Sequence, residues 1–419
     1  MVKRINRPLY LDKLINREGN GSIKVITGIR RCGKSYLLFN IFSEYLRNKG
    51  VPDDHIIQIA LDDDRYENLL DRQELGKYLR AKIADDDPYY VMLDEIQEVE
   101  GFERTLNGIA RIPNADIYVT GSNSKFLSSD VITEFRGRGD EVRVRPLSFS
   151  EFFSAHQGQQ RDAWRDYYTY GGLPLVLSRP THEAKASYLK TLFEKTYLTD
   201  VQERNKVRDE DALNAVVQIL ASSVGSLTNP TRIANTFASS GNSGIDNKTV
   251  SSYIRHLREA FIVEEAQRYD VKGRAYISTP LKYYFSDLGI RNAVLNFRQQ
   301  EENHLMENVI FNELLARGYS VDVGVVNTTL TNAHGKRKRA RLEIDFVCNL
   351  ADTRYYIQSA YSMADDSKAS QETRPLRKLD DSFKKIVIEL GDARAWHDTD
   401  GILHLGLWDF LLNQDSLNW

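Results

Sequence analysis

Eight consecutive residues constrain this chain more than any others: Gly28-Ile29-Arg30-Arg31-Cys32-Gly33-Lys34-Ser35. A glycine, four intervening residues and then Gly-Lys-Ser stand between two patterned segments. Upstream, Ile23 to Thr27 is a short, apolar, β-branched run of strand type. Downstream, Leu37, Leu38, Ile41, Phe42 and Tyr45 recur at helical spacing. Strand, glycine loop and helix in that order predict a backbone that curls until successive amides point inward, with a helix N-terminus behind them. Such a cradle suits the phosphates of a nucleotide. Lys34 is expected to reach the β- and γ-phosphates and the Ser35 hydroxyl to ligate Mg²⁺. The residues expected around the nucleotide are Gly28, Arg30, Arg31, Cys32, Gly33, Lys34, Ser35 and Tyr36, and the expected cofactors are ATP and Mg²⁺.

Further strands carry chemistry at their ends. Tyr89 to Leu93 is apolar and runs into Asp94-Glu95. A carboxylate at that edge holds magnesium, and the next one orients or deprotonates the attacking water, so Asp94 is assigned to the metal and Glu95 to catalysis. Ile117 to Thr120 leads into Gly121-Ser122-Asn123-Ser124, where Ser122 or Asn123 is expected to sense the γ-phosphate. In Glu134-Phe135-Arg136-Gly137-Arg138-Gly139, Arg136 and Arg138 are expected to deliver a positive charge to a γ-phosphate, in the same chain or a neighbouring one. Ile56 to Leu61 adds another strand. Strands alternating with helical patterns predict an α/β fold, a parallel sheet with helices on its faces.

A length of 419 residues allows two to four domains, at about 100–200 residues each. The formal net charge of −3 argues against a globally basic nucleic-acid binder but leaves room for a local basic patch. Only two cysteines occur, one of them inside the phosphate loop, which favours a reducing compartment over a disulfide framework. Met1 to Leu14 has scattered charges and no apolar core, and no apolar run approaches the roughly 20 residues of a membrane helix. A cytoplasmic protein with no membrane partner is expected.

Beyond Gly171-Gly172-Leu173-Pro174 the pattern changes. Helices are expected from Asp211 to Leu220, from Thr228-Asn229-Pro230 to Phe237, and from Val250 to Ala260. Strands follow at Phe261 to Tyr269 and Arg274 to Ser278. Three helices and a hairpin predict a winged helix-turn-helix. Its third helix presents Lys248, Ser251, Ser252, Arg255, His256 and Arg258, so residues 246–258 are the expected DNA contact, opposed by Glu259, Glu264, Glu265 and Asp270. A basic run, Lys336-Arg337-Lys338-Arg339 with Arg341, makes residues 336–341 a second expected nucleic-acid contact, read as a solvated loop.

The ordered set Gly-Ile-Arg-Arg-Cys-Gly-Lys-Ser, Leu-Asp-Glu-Ile-Gln, Thr-Gly-Ser-Asn-Ser, Arg-Gly-Arg with Pro-Leu-Ser-Phe-Ser-Glu-Phe, and Tyr-Gly-Gly-Leu-Pro resembles a prokaryotic family of AAA-type P-loop ATPases. Its members lie near the archaeal and STAND-like ATPases and carry a C-terminal domain of unknown function. The C-terminal part is similar to the PD-(D/E)xK nuclease core. Glu307 on a helix and Asp345 on a strand match that core, Gln358 stands where a strand carboxylate belongs, and Ala360 stands where the lysine belongs. This implies a nuclease-like fold that has lost cleavage, with Glu307, Asp345 and Gln358 as its remnant and no cation supplied from Ala360. Glu343 shares a strand face with Asp345.

The expected plan is an AAA-type P-loop core over 1–150, a helical lid over 151–210, a winged helix-turn-helix over 211–290 and a nuclease-like α/β domain over 291–419. The function implied is a MgATP-hydrolysing switch coupled to those modules and acting on DNA, with a homo-oligomer or another protein as partner. Two alternatives stand beside it: a nucleic-acid-binding regulatory module with little turnover, and an active ATP-dependent nuclease.

Overall fold

A computed structural model describes residues 4–121, 135, 137–239, 245–299, 301–331, 337–363, 366–392 and 394–419. Two compact units result. The first is Met1–Pro146 with the short pieces Leu173–Leu175 and Glu259–Phe261, and the second is the remainder.

The first unit is built on five strands: β1 (Ile23–Thr27), β2 (Ile56–Ala60), β3 (Tyr89–Asp94), β4 (Ala115–Thr120) and β5 (Gly139–Arg143). Their spatial order is β2-β3-β4-β1-β5, and every neighbouring pair is parallel. β1 and β3 are buried at every position, as expected of a parallel sheet covered on both faces. On one face Val91, Leu93, Ile117 and Val119 meet Leu75, Leu79, Phe102, Leu106 and Ile109. Those last five come from the helices Arg72–Lys82, capped by Asp71, and Phe102–Ile109. Alternation along the strands turns Tyr90 and Tyr118 the other way. There Phe42, on the helix that follows the glycine loop, packs 4.8 Å from the Tyr118 ring and 6.5 Å from the Tyr90 ring. Because β4 is inserted between β1 and β3, the ends Thr27, Thr120 and Asp94 lie side by side at the carboxyl edge, where ligands of such sheets bind.

The second unit joins helices and one sheet of eight strands, ordered β12-β13-β11-β10-β9-β8-β6-β7. The strands are β6 (Val263–Asp270), β7 (Ala275–Phe285), β8 (Ser320–Thr331), β9 (Arg337–Leu350), β10 (Thr353–Ala360), β11 (Lys384–Glu389), β12 (Trp396–His397) and β13 (Leu403–Gly406). The helices Glu210–Ser222, Pro230–Ser239 and Asn247–Glu259 precede the β6–β7 hairpin, in the element order read from the sequence.

Three expectations need correction. The boundary at residue 290 does not separate two sheets, because β6 pairs in parallel with β8, Arg268 opposite Val323, and carries the hairpin into the C-terminal sheet. The helices expected as a lid over 151–210 belong to this unit as well. Phe149 and Trp164 pack against Trp408 with ring centroids 5.7 and 5.4 Å apart, apolar contacts between segments far apart in sequence. The basic run is strand rather than loop where it is described, since Arg337 to Arg341 pair antiparallel with Thr331 to Asn327.

The Gly171-Gly172 step has a packing cause. Gly172 N donates to Asp287 Oδ2 at 2.8 Å, and a Cβ on Gly171 would lie 2.2 Å from Asp287 Oδ1. Asp287 also caps the helix Leu288–Val294 by accepting from Ile290 N, so one carboxylate ties two turns together.

Candidate nucleotide site

The glycine loop closes on itself. Gly28 has φ 139°, and a Cβ there would lie 2.0 Å from the Val144 carbonyl oxygen, so only glycine fits. Gly33, at φ 99°, opens the helix that begins at Lys34. Lys34 is buried, and its Nζ donates to the Gly28 and Ile29 carbonyls at 3.0 and 3.3 Å. The ammonium therefore sits inside the curl of the loop. Cys32 is turned the other way: its thiol donates to the Val144 carbonyl at 3.4 Å, so of the expected nucleotide contacts this residue offers only backbone. Arg30 is half-buried, whereas Arg31 and Tyr36 are exposed.

Arg7 braces the loop from outside. Its guanidinium donates to the Cys32 carbonyl at 3.0 Å and to the Arg145 carbonyl at 2.8 Å. Nothing in the sequence singles out Arg7, since its partners stand far downstream.

The strand ends supply the polar groups. Asp94 is buried at the end of β3. Burial pushes its carboxyl up from the ordinary aspartate range, and hydrogen bonds from Thr120 and Ser35 partly offset that shift. A buried carboxylate in contact with the loop serine, and short of positive charge, fits a divalent cation held between Ser35 and Asp94. Thr120 at the end of β4 links the two acids: its Oγ1 donates to Asp94 Oδ1 and accepts from Glu95 N at 3.0 Å. Glu95 has φ 50°, a left-handed conformation that costs a non-glycine residue about 1 kcal/mol and recurs at functional sites. Its Oε2 accepts a hydrogen bond from Gln97 Nε2.

Like Arg7, Thr120 is not singled out by the sequence. A Thr120→Val variant removes one donor and one acceptor, each worth about 1 kcal/mol net. Phosphate release from ATP is expected to fall roughly 10-fold, and the melting temperature by a few degrees, since Asp94 Oδ1 and Glu95 N each lose a partner. Equal rates in the two proteins would deny Thr120 this part.

Ser122, Asn123 and Arg136 lie outside the described residues. Phe135 is buried against Phe102, and Arg138 is exposed just before β5, its carbonyl accepting from Ile23 N at 2.8 Å.

A family model for the AAA domain matches residues 20–153, and one for a domain of unknown function (DUF8612) matches residues 161–301. An uncharacterized protein of Haemophilus influenzae is 33% identical over 414 residues, covering 97% of this chain and 98% of its own. The chain belongs to the AAA-type P-loop ATPase family. An uncharacterized protein of Methanocaldococcus jannaschii is 26% identical over 400 residues, covering 93% of this chain and 83% of its own. Among solved structures, the AAA-type chain is similar to the Aeropyrum pernix ORC1 protein in complex with DNA, with TM-score 0.32 and 14% identity over 71% of this chain and 94% of that one. It is also similar to AMPPCP-bound DnaA from Aquifex aeolicus, with TM-score 0.30 and 15% identity over 59% and 86%.

In the second unit of this AAA-type chain, the helix Asn247–Glu259 buries Val250, Tyr253, Ile254 and Leu257 and exposes Lys248, Ser251, Arg255 and Arg258. Arg258 is paired with Glu265 at 2.8 Å, and Ser252 with His256 at 3.0 Å. Arg339 and Arg341 are exposed on β9, and Lys336 lies outside the described residues. Glu307 and Asp345 are brought together around Lys282, while Gln358 accepts from Asp345 N at 3.4 Å. Lys282 itself is carried by β7. Among the described residues, no helix is long and apolar enough to cross a membrane.

Proposed function

We propose that this chain binds MgATP in the glycine loop and hydrolyses it as a switch that drives its second unit. The observation that carries this reading is the contact of Ser35 and Thr120 with Asp94, which joins the ends of β3 and β4 to the glycine loop in one polar cluster. Lys34 binds the β- and γ-phosphates, and the loop amides orient them. A magnesium ion held by Ser35 and Asp94 supplies charge neutralisation when bound. Glu95 orients the attacking water and takes its proton, and Thr120 fixes the Glu95 backbone. Asn123 senses the γ-phosphate in this reading, and Arg136 or Arg138 faces it from the same or a neighbouring chain.

Duplex DNA is the partner class proposed for the second unit. The one-sided display of Lys248, Ser251 and Arg255 on a helix whose other face is apolar supports it. The module with Glu307 and Asp345 is read as nuclease-like but non-cleaving.

The test is steady-state phosphate release by the full chain, with and without duplex DNA. Mg²⁺-dependent release is expected in both, faster with DNA. No Mg²⁺-dependent release under either condition would remove the ATPase reading. An unchanged rate, with no DNA binding at low salt, would remove the DNA partner.

A further inference from the structure

The cluster around Glu307 encloses a cation that belongs to the chain itself. Lys282 on β7 is almost wholly buried, its side chain 4% exposed. Its Nζ lies 2.8 Å from Glu307 Oε1, 2.9 Å from Glu343 Oε1 and 3.6 Å from Asp345 Oδ1. Tyr284, two residues on and on the same strand face, donates to Glu307 Oε1 at 2.6 Å. Ser359 N donates to Asp345 Oδ2 at 2.9 Å. The backbone of Gly225 passes so close that a Cβ there would sit 3.2 Å from Glu307 Oε2. Of the three acids, only Glu343 is substantially open to solvent, at 36%.

We propose that Lys282 is the resident cation of this site, filling the place among Glu307, Glu343 and Asp345 that a divalent ion takes in a metal-dependent phosphodiesterase. An ammonium has three N–H donors. Glu307 and Glu343 stand within hydrogen-bond distance of this one and Asp345 at ion-pair distance, so three acids compete for its donors with any phosphate oxygen or attacking water. Burial works against the charge, but Tyr284, Glu307, Asp345 and Glu343 outweigh it and hold the ammonium well above the ordinary lysine range. A divalent ion entering the same cluster meets that fixed charge at short range and low dielectric. It also needs near-octahedral oxygen ligands, which the carboxylates cannot offer while they bind Lys282. The module therefore keeps its carboxylates in place without metal. It also implies a latent metal site, opened by removing one side chain.

The probe is Mn²⁺ alone, with no nucleotide, followed by the EPR signal of free Mn²⁺. The wild-type chain and Asp345→Asn are expected to bind Mn²⁺ identically, whatever weak binding the loop contributes. Lys282→Met, close in volume, leaves the carboxylates uncompensated, and its melting temperature is expected to fall by about 10 °C. Mn²⁺ should restore most of that loss and bind at one new site per chain, absent in Lys282→Met with Asp345→Asn. Wild-type Mn²⁺ binding lost in Asp345→Asn would overturn the proposal, as would wild-type Mn²⁺-dependent DNA cleavage lost in Lys282→Ala. If Lys282→Met does not fold, the comparison of wild type with Asp345→Asn still decides.

Discussion

Replacing Lys34 by alanine is expected to weaken MgATP binding on the order of 10²-fold, a loss of about 3 kcal/mol. The ammonium is buried within the loop, where its bonds to the Gly28 and Ile29 carbonyls fix its position. A triphosphate entering that space exchanges those neutral acceptors for charged oxygens, and charge-assisted hydrogen bonds are roughly twice as strong as neutral ones. Alanine leaves the phosphates buried and short of one positive charge. Arginine is no remedy, because its planar fork is too broad for a space shaped around a point charge. Calorimetric titration of the two proteins with MgATP reads the difference directly. An affinity within threefold of wild type would place the nucleotide elsewhere.

Glu95→Gln is expected to keep that affinity and lose turnover by about 10²-fold or more, the range of a missing general base. The substitution is isosteric and neutral. Glu95 N keeps its bond to Thr120 Oγ1, and the amide oxygen still accepts from Gln97 Nε2, so the local geometry persists. What disappears is the basicity needed to take a proton from water. Asp94 is unchanged in this variant, and with it the expected magnesium site. Equal turnover would reassign Glu95 to a structural part, holding the left-handed turn that ends β3.

The nucleotide loop was legible in the sequence because its chemistry is contiguous. Gly28, Gly33, Lys34 and Ser35 fall within eight residues, and the flanking strand and helix declare themselves by periodicity. Asp94 and Glu95 were legible as the polar end of an apolar strand. Thr120 was not singled out, because its importance comes from the sheet order. Only the insertion of β4 between β1 and β3 sets a threonine beside both acids, and parallel strand order is a property of crossover connections rather than of any local pattern. Arg7 escaped notice for a similar reason, since it acts on two backbone carbonyls that carry no side-chain signature.

The second unit was less legible. Helix and strand identities followed from pattern, but the parallel pairing of β6 with β8 is non-local, and it merges a hairpin read as a separate wing with the C-terminal sheet. The same pairing explains Lys282. A search confined to the strand carrying Gln358 and Ala360 finds no lysine, whereas the folded sheet and the helix Glu302–Ala316 bring one from β7. The alternation rule nonetheless placed Glu343 and Asp345 on one face, and both reach Lys282.

The central claim, that this chain binds and hydrolyses MgATP through its glycine loop and Glu95, is tested most directly by a single-turnover experiment. Enzyme in excess is mixed with radiolabelled MgATP, and wild type and Glu95→Gln are quenched side by side. The expected result is complete conversion of bound ATP by the wild type, with Glu95→Gln retaining it largely unhydrolysed over the same interval. Bound ATP left intact by the wild type, or converted equally fast by both proteins, would contradict the account.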